Sequence, residues 1–149
     1  MKTKQQIFYF CQLMVEIVLL VFFLFLTTMS ISAAVITVPG DYSTIQSAID
    51  AASDGDEIIV SPGTYWESIH FEGKNIILRS IDPTDPGIVA STVIDCGYDR
   101  SVVTFSGTEL TTCVLSGFTI TNGYAPLGGG IRGNGTKATI EHNIITQNT

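Results

Sequence analysis

One stretch of the sequence, Ile36 to Ile81, constrains the fold more than any other. It begins with a short segment in which Ile45, Ala48, Ile49 and Ala52 are spaced to form one apolar stripe on a helix. Strand-like segments follow, separated by turns that contain glycine. Because so short a helix is marginal in water by itself, we expect it to lie against the strands that follow it.

Both ends of this helix are predicted from polar residues. Ser43 and Gln46 have the spacing of a capping box, in which each side chain satisfies a free amide at the helix start. The sequence Asp54-Gly55-Asp56 predicts the end, since Gly55 can adopt a positive φ.

Short strands alternate with turns along the rest of the chain. The segment Pro83–Gly87 is rich in proline and predicts a loop. Strands are predicted at Glu57–Val60, Glu67–Phe71, Ile76–Ser80, Thr92–Asp95, Val102–Phe105 and Cys113–Thr121.

The last third of the chain contains an internal similarity. Leu115–Gly123 resembles Ile140–Asn148, and sliding the alignment by one position fits almost as well. Either offset lies in the range that is typical of stacked coils. We therefore predict an all-β fold, a right-handed parallel β-helix (solenoid) with a short N-terminal capping α-helix. Because Thr149 follows directly after the second copy, we also expect the native protein to continue with more coils.

The segment Met1–Ala34 has the three parts of a secretory signal peptide. Lys2 and Lys4 precede an apolar run, Ile17–Leu26, and Ser32-Ala33-Ala34 supplies small residues for cleavage after Ala34. We therefore predict a signal peptide at 1–34, a β-helix domain at 35–149, and a secreted or cell-surface location. The alternative is an uncleaved membrane anchor over Ile7–Met29.

The predicted mature part is acidic. It retains five of the seven Lys and Arg residues and thirteen of the fourteen Asp and Glu residues, a net charge of −8. Such a charge argues against nucleic acid as a partner. Cys96 and Cys113 can form a disulfide in an oxidising compartment or remain buried thiols, and the sequence leaves both alternatives open.

Two segments carry a family resemblance. Thr44–Ala52 followed by Ile58–Ile69 resembles the opening of pectin methylesterases and of many secreted proteins with the pectin-lyase-like right-handed β-helix. Gly117–Gly123, with Gly128–Ile131, is similar to repeats of bacterial surface β-helix proteins. The resemblance implies the fold rather than one activity.

The resemblance implies two functions of different classes. One is an exported protein that binds or processes polysaccharide, as lyases, esterases and hydrolases of this family do, with its active coils beyond residue 149. The other is a non-catalytic surface or adhesion protein. Ca²⁺ is implied only for a pectate-lyase-like activity, and no catalytic residue of the family is assigned to a position here.

Six residues are candidates for a site. Asp95 and Asp99, followed by Arg100, can offer oxygen ligands to Ca²⁺ and a base, or they can form a polar corner between strands. Tyr65, Trp66 and His70 can contact a glycan, although Trp66 can equally pack beneath the helix.

Overall fold

The computed structural model describes residues 2–26 and 32–149, and the chain divides into two compact units, Met1–Ser32 and Ala33–Thr149. The first unit contains helix α1 (Lys2–Leu26). Within residues 2–26 and 32–149, no helix is both long enough and apolar enough to cross a membrane. The alternative anchor over Ile7–Met29 extends into residues 27–31, which lie outside the described part.

The second unit consists mainly of short parallel strands with two short helices, α2 (Ile45–Ala51) and α3 (Pro86–Ser91). Its strands are β1 (Val35–Val38), β2 (Glu57–Val60), β3 (Gly63–Trp66), β4 (Ile69–His70), β5 (Ile77–Ser80), β6 (Thr92–Asp95), β7 (Val103–Thr104), β8 (Val114–Ser116), β9 (Thr119–Thr121), β10 (Ile131–Arg132), β11 (Thr139–Glu141) and β12 (Ile144–Thr146).

These strands form three parallel sheets. The first sheet has the order β1-β2-β5-β8-β11, the second β3-β6-β9-β12 and the third β4-β7-β10. From β2 onward the chain therefore passes repeatedly from the first sheet to the others and back. We call one such pass a circuit. Each strand pairs with its counterpart in the neighbouring circuit, so register partners lie directly above one another.

The core consists of ladders of apolar side chains across these circuits. In the first sheet Ile58 pairs with Leu78 and Leu78 with Leu115, and all three are fully buried. Directly after β4 and β7 of the third sheet, the rings of Phe71 and Phe105 stack with their centroids 4.5 Å apart. Each circuit thus covers the apolar face of its neighbour, and burial between circuits supplies most of the stabilisation.

The predicted strands agree only in part with the observed ones, because Glu67–Phe71 contains just the two-residue β4, Cys113–Thr121 is divided between β8 and β9 of different sheets, and β3 was not predicted. Glu57–Val60 is confirmed residue for residue as β2 and Thr92–Asp95 as β6. Between the two similar segments, Leu115 pairs with Ile140 and Ile120 with Ile145. Both pairs have the shorter of the two offsets that the sequence allowed, so the structure selects that one.

Helix α2 has the predicted apolar stripe, but the predicted capping box is wrong. Its N-cap is Thr44, whose side chain accepts a hydrogen bond from the Ser47 amide. The carboxylate of Glu67 accepts the amides of Ile45 and Gln46, each at 2.9 Å. Since Glu67 satisfies the first free amides of the helix, Gln46 is not needed as a capping residue.

The predicted loop at Pro83–Gly87 is also only partly correct, because helix α3 begins at Pro86. The carboxylate of Asp85 caps this helix by accepting the amides of Gly87 and Ile88. Proline at the first helical position has no amide to leave unsatisfied and has a suitable φ.

All three cysteines are free thiols in the structure. Cys113 is fully buried, and burial raises the pKa of its thiol to about 12. Of the two alternatives that the sequence left open, the structure has the unpaired thiols, but only Cys113 is buried and Cys96 is half-buried.

Candidate functional site

A shallow groove lies at the corner where the chain leaves the second sheet for the third. Residues that follow β3 form one side of it, and the loop that follows β6 forms the other. Its volume is about 280 Å³, and its lining includes Trp66, Glu67, Asp95, Cys96, Asp99 and Arg100. The groove is therefore built from two consecutive circuits.

Trp66 and Tyr65, two of the predicted ligand-contacting residues, occupy opposite faces of β3. Tyr65 is half-buried against the core, and its hydroxyl donates a 2.8 Å hydrogen bond to the carbonyl of Ser61. The side chain of Trp66 is 74% exposed, so it does not pack beneath helix α2. Because successive residues of a strand point to opposite faces, the inward position of Tyr65 places Trp66 on the outside, at the groove.

Asp95 lies beside Trp66 because the two are register partners in the pairing of β3 with β6. Its side chain is only 5% exposed. One carboxylate oxygen accepts the amide of Gly97 at 2.9 Å, and the other accepts the side-chain amide of Asn122 at 2.7 Å. Both oxygens therefore hold the turn after β6 against the next circuit.

Asp99 and Arg100 are the exposed charged groups of the groove. Nε of Arg100 donates to Asp99 at 2.8 Å, and a second guanidinium nitrogen forms a short hydrogen bond to the same oxygen. Both side chains are largely exposed, which limits the stabilisation that this ion pair provides. Their free hydrogen-bonding positions face solvent and are available to a ligand.

Glu67 was not predicted as a site residue, although it forms part of the lining. Its two oxygens accept the first amides of helix α2, where a negative charge also interacts favourably with the helix dipole. In the sequence Glu67 directly follows Trp66, and this adjacency could have indicated that Glu67 lies near the groove. Its partners could not be foreseen, because they come from a helix much earlier in the chain.

Cys96 completes the floor of the groove. Its sulfur lies 3.1 Å from the carbonyl oxygens of Arg100 and of Asn122, and its proton can be donated to one of them at a time. The thiol thus joins the two ends of the loop to the neighbouring circuit.

His70, the remaining candidate, lies apart from this groove. It is exposed on β4, at the edge of the third sheet. The side-chain amide of Gln46 accepts a hydrogen bond from the His70 amide at 2.7 Å and donates one to its carbonyl at 3.2 Å. Gln46 therefore satisfies the backbone of an edge strand as a neighbouring strand would.

The structure thus joins two groups of candidates that the sequence treated separately. Trp66 comes together with Asp95 and Asp99, whereas Tyr65 points inward and His70 lies elsewhere. Among residues 2–26 and 32–149, no three His, Cys, Asp or Glu side chains are grouped so as to hold a metal ion.

The groove is suited to binding a polar, uncharged ligand. An exposed indole can stack on an apolar face, and the Asp99–Arg100 pair offers both acceptors and donors. Asp95 and Glu67 already accept two hydrogen bonds each.

Comparison of the chain with models of protein families, with curated proteins and with solved structures finds no match.

Proposed function

We propose that this chain belongs to an exported right-handed parallel β-helix protein of the pectin-lyase-like type, which binds polysaccharide on its outer surface. Three observations support this fold: the strand pairs of the second unit are parallel, the circuits stack on one another, and α2 precedes the first complete circuit. Since no single circuit buries its own apolar face, stacked coils are the arrangement that best accounts for the core.

The observation that supports glycan binding is the exposure of Trp66 at the groove. An indole that is 74% exposed presents a flat apolar face on which a sugar ring can stack. Sugars have apolar ring faces and polar edges, and the groove places the Asp99–Arg100 pair beside the indole. This combination can stack on a sugar ring and hydrogen-bond its hydroxyl groups.

Binding without chemistry is favoured over catalysis for the described residues. A pair of carboxylates acting as acid and base must reach the substrate with free oxygens. The oxygens of Asp95 and Glu67 accept hydrogen bonds from the protein, and Asp99 pairs with Arg100. These contacts support a binding role for this groove.

Export through cleavage after Ala34 is part of the proposal. The Ala34 carbonyl accepts the amide of Glu57 at 2.9 Å, and the Ala34 amide donates to Asp56 at 2.7 Å. Cleavage after Ala34 would remove both hydrogen bonds, and the part that remains begins with β1 at Val35. Val35 would then be the first residue of the exported protein, as its N-terminal sequence can establish.

Substitution of Trp66 tests the binding function. We expect Trp66→Ala to weaken retardation of the protein in polysaccharide-containing native gels by about tenfold in apparent affinity, as loss of a central aromatic contact does. Leu110→Ala is the matched control, because Leu110 is 53% exposed and lies outside the groove lining. Equal retardation of both variants and the unaltered chain would contradict the proposal.

A further inference from the structure

The loop between β6 and β7, which forms one side of the groove, has its backbone fixed to the circuits on both sides. The carbonyl of Arg100 accepts the amide of Tyr124 at 2.9 Å, in the following circuit. The hydroxyl of Ser68, in the preceding circuit, donates to the carbonyl of Ser101 at 2.6 Å. These contacts use backbone atoms of the loop, so its position does not depend on the side chains that it presents to the groove.

Asp99 and Arg100 project from this fixed backbone as an exposed ion pair. Their side chains are 64% and 63% exposed. Nε and a second nitrogen of Arg100 both donate to the same oxygen, Oδ2 of Asp99. Within residues 2–26 and 32–149 the other oxygen, Oδ1, has no hydrogen-bond partner, and the guanidinium has further N–H donors. The pair therefore presents an acceptor and several donors side by side.

This arrangement distinguishes a sugar hydroxyl from a sugar carboxylate. A hydroxyl group both donates and accepts hydrogen bonds, whereas an ionised carboxylate only accepts them. One of two adjacent hydroxyls can donate to Oδ1 of Asp99 while the other accepts from Arg100. A carboxylate of the ligand could use Arg100 alone, and it would then lie beside the negative charge of Asp99.

The other charges of the groove act in the same direction. Glu67, Asp95 and Asp99 line it with three carboxylates, and Arg100 is the one guanidinium in its lining. The donors to Glu67 and Asp95 are backbone amides and the side-chain amide of Asn122, which are uncharged and leave the charge of each carboxylate in place. A uronate would therefore meet a surplus of negative charge.

We propose that Asp99 is a specificity-determining residue of the groove, which pairs with Arg100 and so selects neutral sugars over uronates. The inference rests on the proposed polysaccharide-binding function. Without the carboxylate of Asp99, the planar guanidinium of Arg100 would be free to bind a ligand carboxylate through two parallel hydrogen bonds. Loss of Asp99 therefore changes which sugar is preferred, rather than only how tightly a sugar is held.

Calorimetric titration of the whole chain with matched pairs of oligosaccharides tests the proposal. One pair is mannose and mannuronate oligomers of the same linkage, and the other is methyl-esterified and free galacturonate oligomers, all at low ionic strength with EDTA. We expect the unaltered chain to bind the neutral member at least about tenfold more tightly. Asp99→Asn keeps the shape of the side chain and should lower this ratio at least about tenfold, mainly through tighter binding of the acidic member.

Two further variants identify the cause of this change. Glu141→Gln also removes one negative charge, but Glu141 is exposed on β11 and lies outside the groove lining, so the ratio should not change. Addition of Arg100→Gln to Asp99→Asn should abolish the gain in affinity for the acidic member, because the guanidinium that binds it is then absent. Circular dichroism spectra and melting curves that match those of the unaltered chain establish that each variant is folded.

The outcomes separate this inference from the proposed function. The same ratio in Asp99→Asn as in Glu141→Gln, or a gain that persists without Arg100, would overturn the role of Asp99 and leave glycan binding intact. Tighter binding of the acidic members by the unaltered chain would do the same. If no member of either pair binds, the proposed function fails together with the inference.

Discussion

At the scale of single residues, hydrogen bonds from the backbone determine what each carboxylate of this protein can do. Glu109 illustrates this most clearly, because its side chain is 1% exposed and accepts the amides of Gly73, Ser106 and Gly107. These amides belong to the turns after β4 and β7, so one side chain joins two circuits. A buried charge is retained only where such donors replace water.

The pKa of Glu109 leads to a prediction about acid stability. Burial alone would raise this pKa, but hydrogen bonds, including those from the Ser106 and Gly107 amides, hold it below its usual value of 4.5. A pKa that is lower in the folded state stabilises the protein above the unfolded value, and the contribution is lost as the pH falls through the folded value. We expect Glu109→Gln to lower the free energy of unfolding at pH 7 by about 2 kcal/mol.

Urea denaturation at several pH values measures this effect. The stability difference between the unaltered chain and Glu109→Gln should shrink as the pH falls below about 4.5, because both side chains are then uncharged. Glu141→Gln is the control, since Glu141 is exposed on β11. A difference that stays constant down to the lowest pH would show that the charge of Glu109 is not the cause.

The candidate site shows what single residues reveal in a sequence and what they do not. Alternation was predicted only from Glu67 onward, so β3 and the opposite faces of Tyr65 and Trp66 were not anticipated. The meeting of Trp66 with Asp95 depends on the register of β3 with β6. One whole circuit of the chain separates these two residues, and no local sequence pattern gives the length of that circuit.

At the scale of elements, helix α2 is held in place by contacts that come from later in the chain. Its apolar stripe, with Ile45, Ala48 and Ile49 fully buried, could be predicted because it depends only on spacing. Its cap could not, since Glu67 lies beyond two further strands. The capping-box spacing of Ser43 and Gln46 is a local pattern. In the structure Glu67 accepts the first helix amides instead.

Removal of the Glu67 charge should loosen the start of this helix. Glu67→Gln keeps the shape of the side chain but retains a single acceptor oxygen for the amides of Ile45 and Gln46. We expect a loss of about 1 kcal/mol in the free energy of unfolding, as for other helix caps. Hydrogen exchange of those two amides should become faster, while the buried amides of β5 should not change.

Glu72→Gln serves as the matched control, since Glu72 is exposed in the turn after β4. Unchanged protection of the Ile45 and Gln46 amides in Glu67→Gln would show that the helix start does not depend on this carboxylate.

At the scale of the whole molecule, the stacking of parallel strands in three sheets was the most predictable feature. Short strands, glycine turns and the similarity of Leu115–Gly123 to Ile140–Asn148 all indicate stacked circuits, because each is a local or periodic signal. Helix α3 and the different lengths of the circuits were harder to predict from the sequence. The partners Leu78 and Leu115 lie farther apart in sequence than Leu115 and Ile140, so no single repeat length describes the chain.

Stacking also determines how much each ladder residue contributes to stability. Ile94 is fully buried in β6, with β3 on one side and β9 on the other. Ile145 continues the same ladder in β12, which pairs with β9 alone, and it is 53% exposed. The two side chains are identical, so the number of neighbouring circuits is the main difference between them.

We therefore expect Ile94→Ala to lower the free energy of unfolding by about 3 kcal/mol, through lost burial and a cavity between circuits. In the 149-residue chain, Ile145→Ala should lower it by less than about 1 kcal/mol, since a side chain that is exposed there loses little burial and leaves no enclosed space. Urea denaturation followed by circular dichroism measures both. Equal losses would mean that the ladders do not hold the circuits together, and stability would then have to come from the turns and their hydrogen bonds instead.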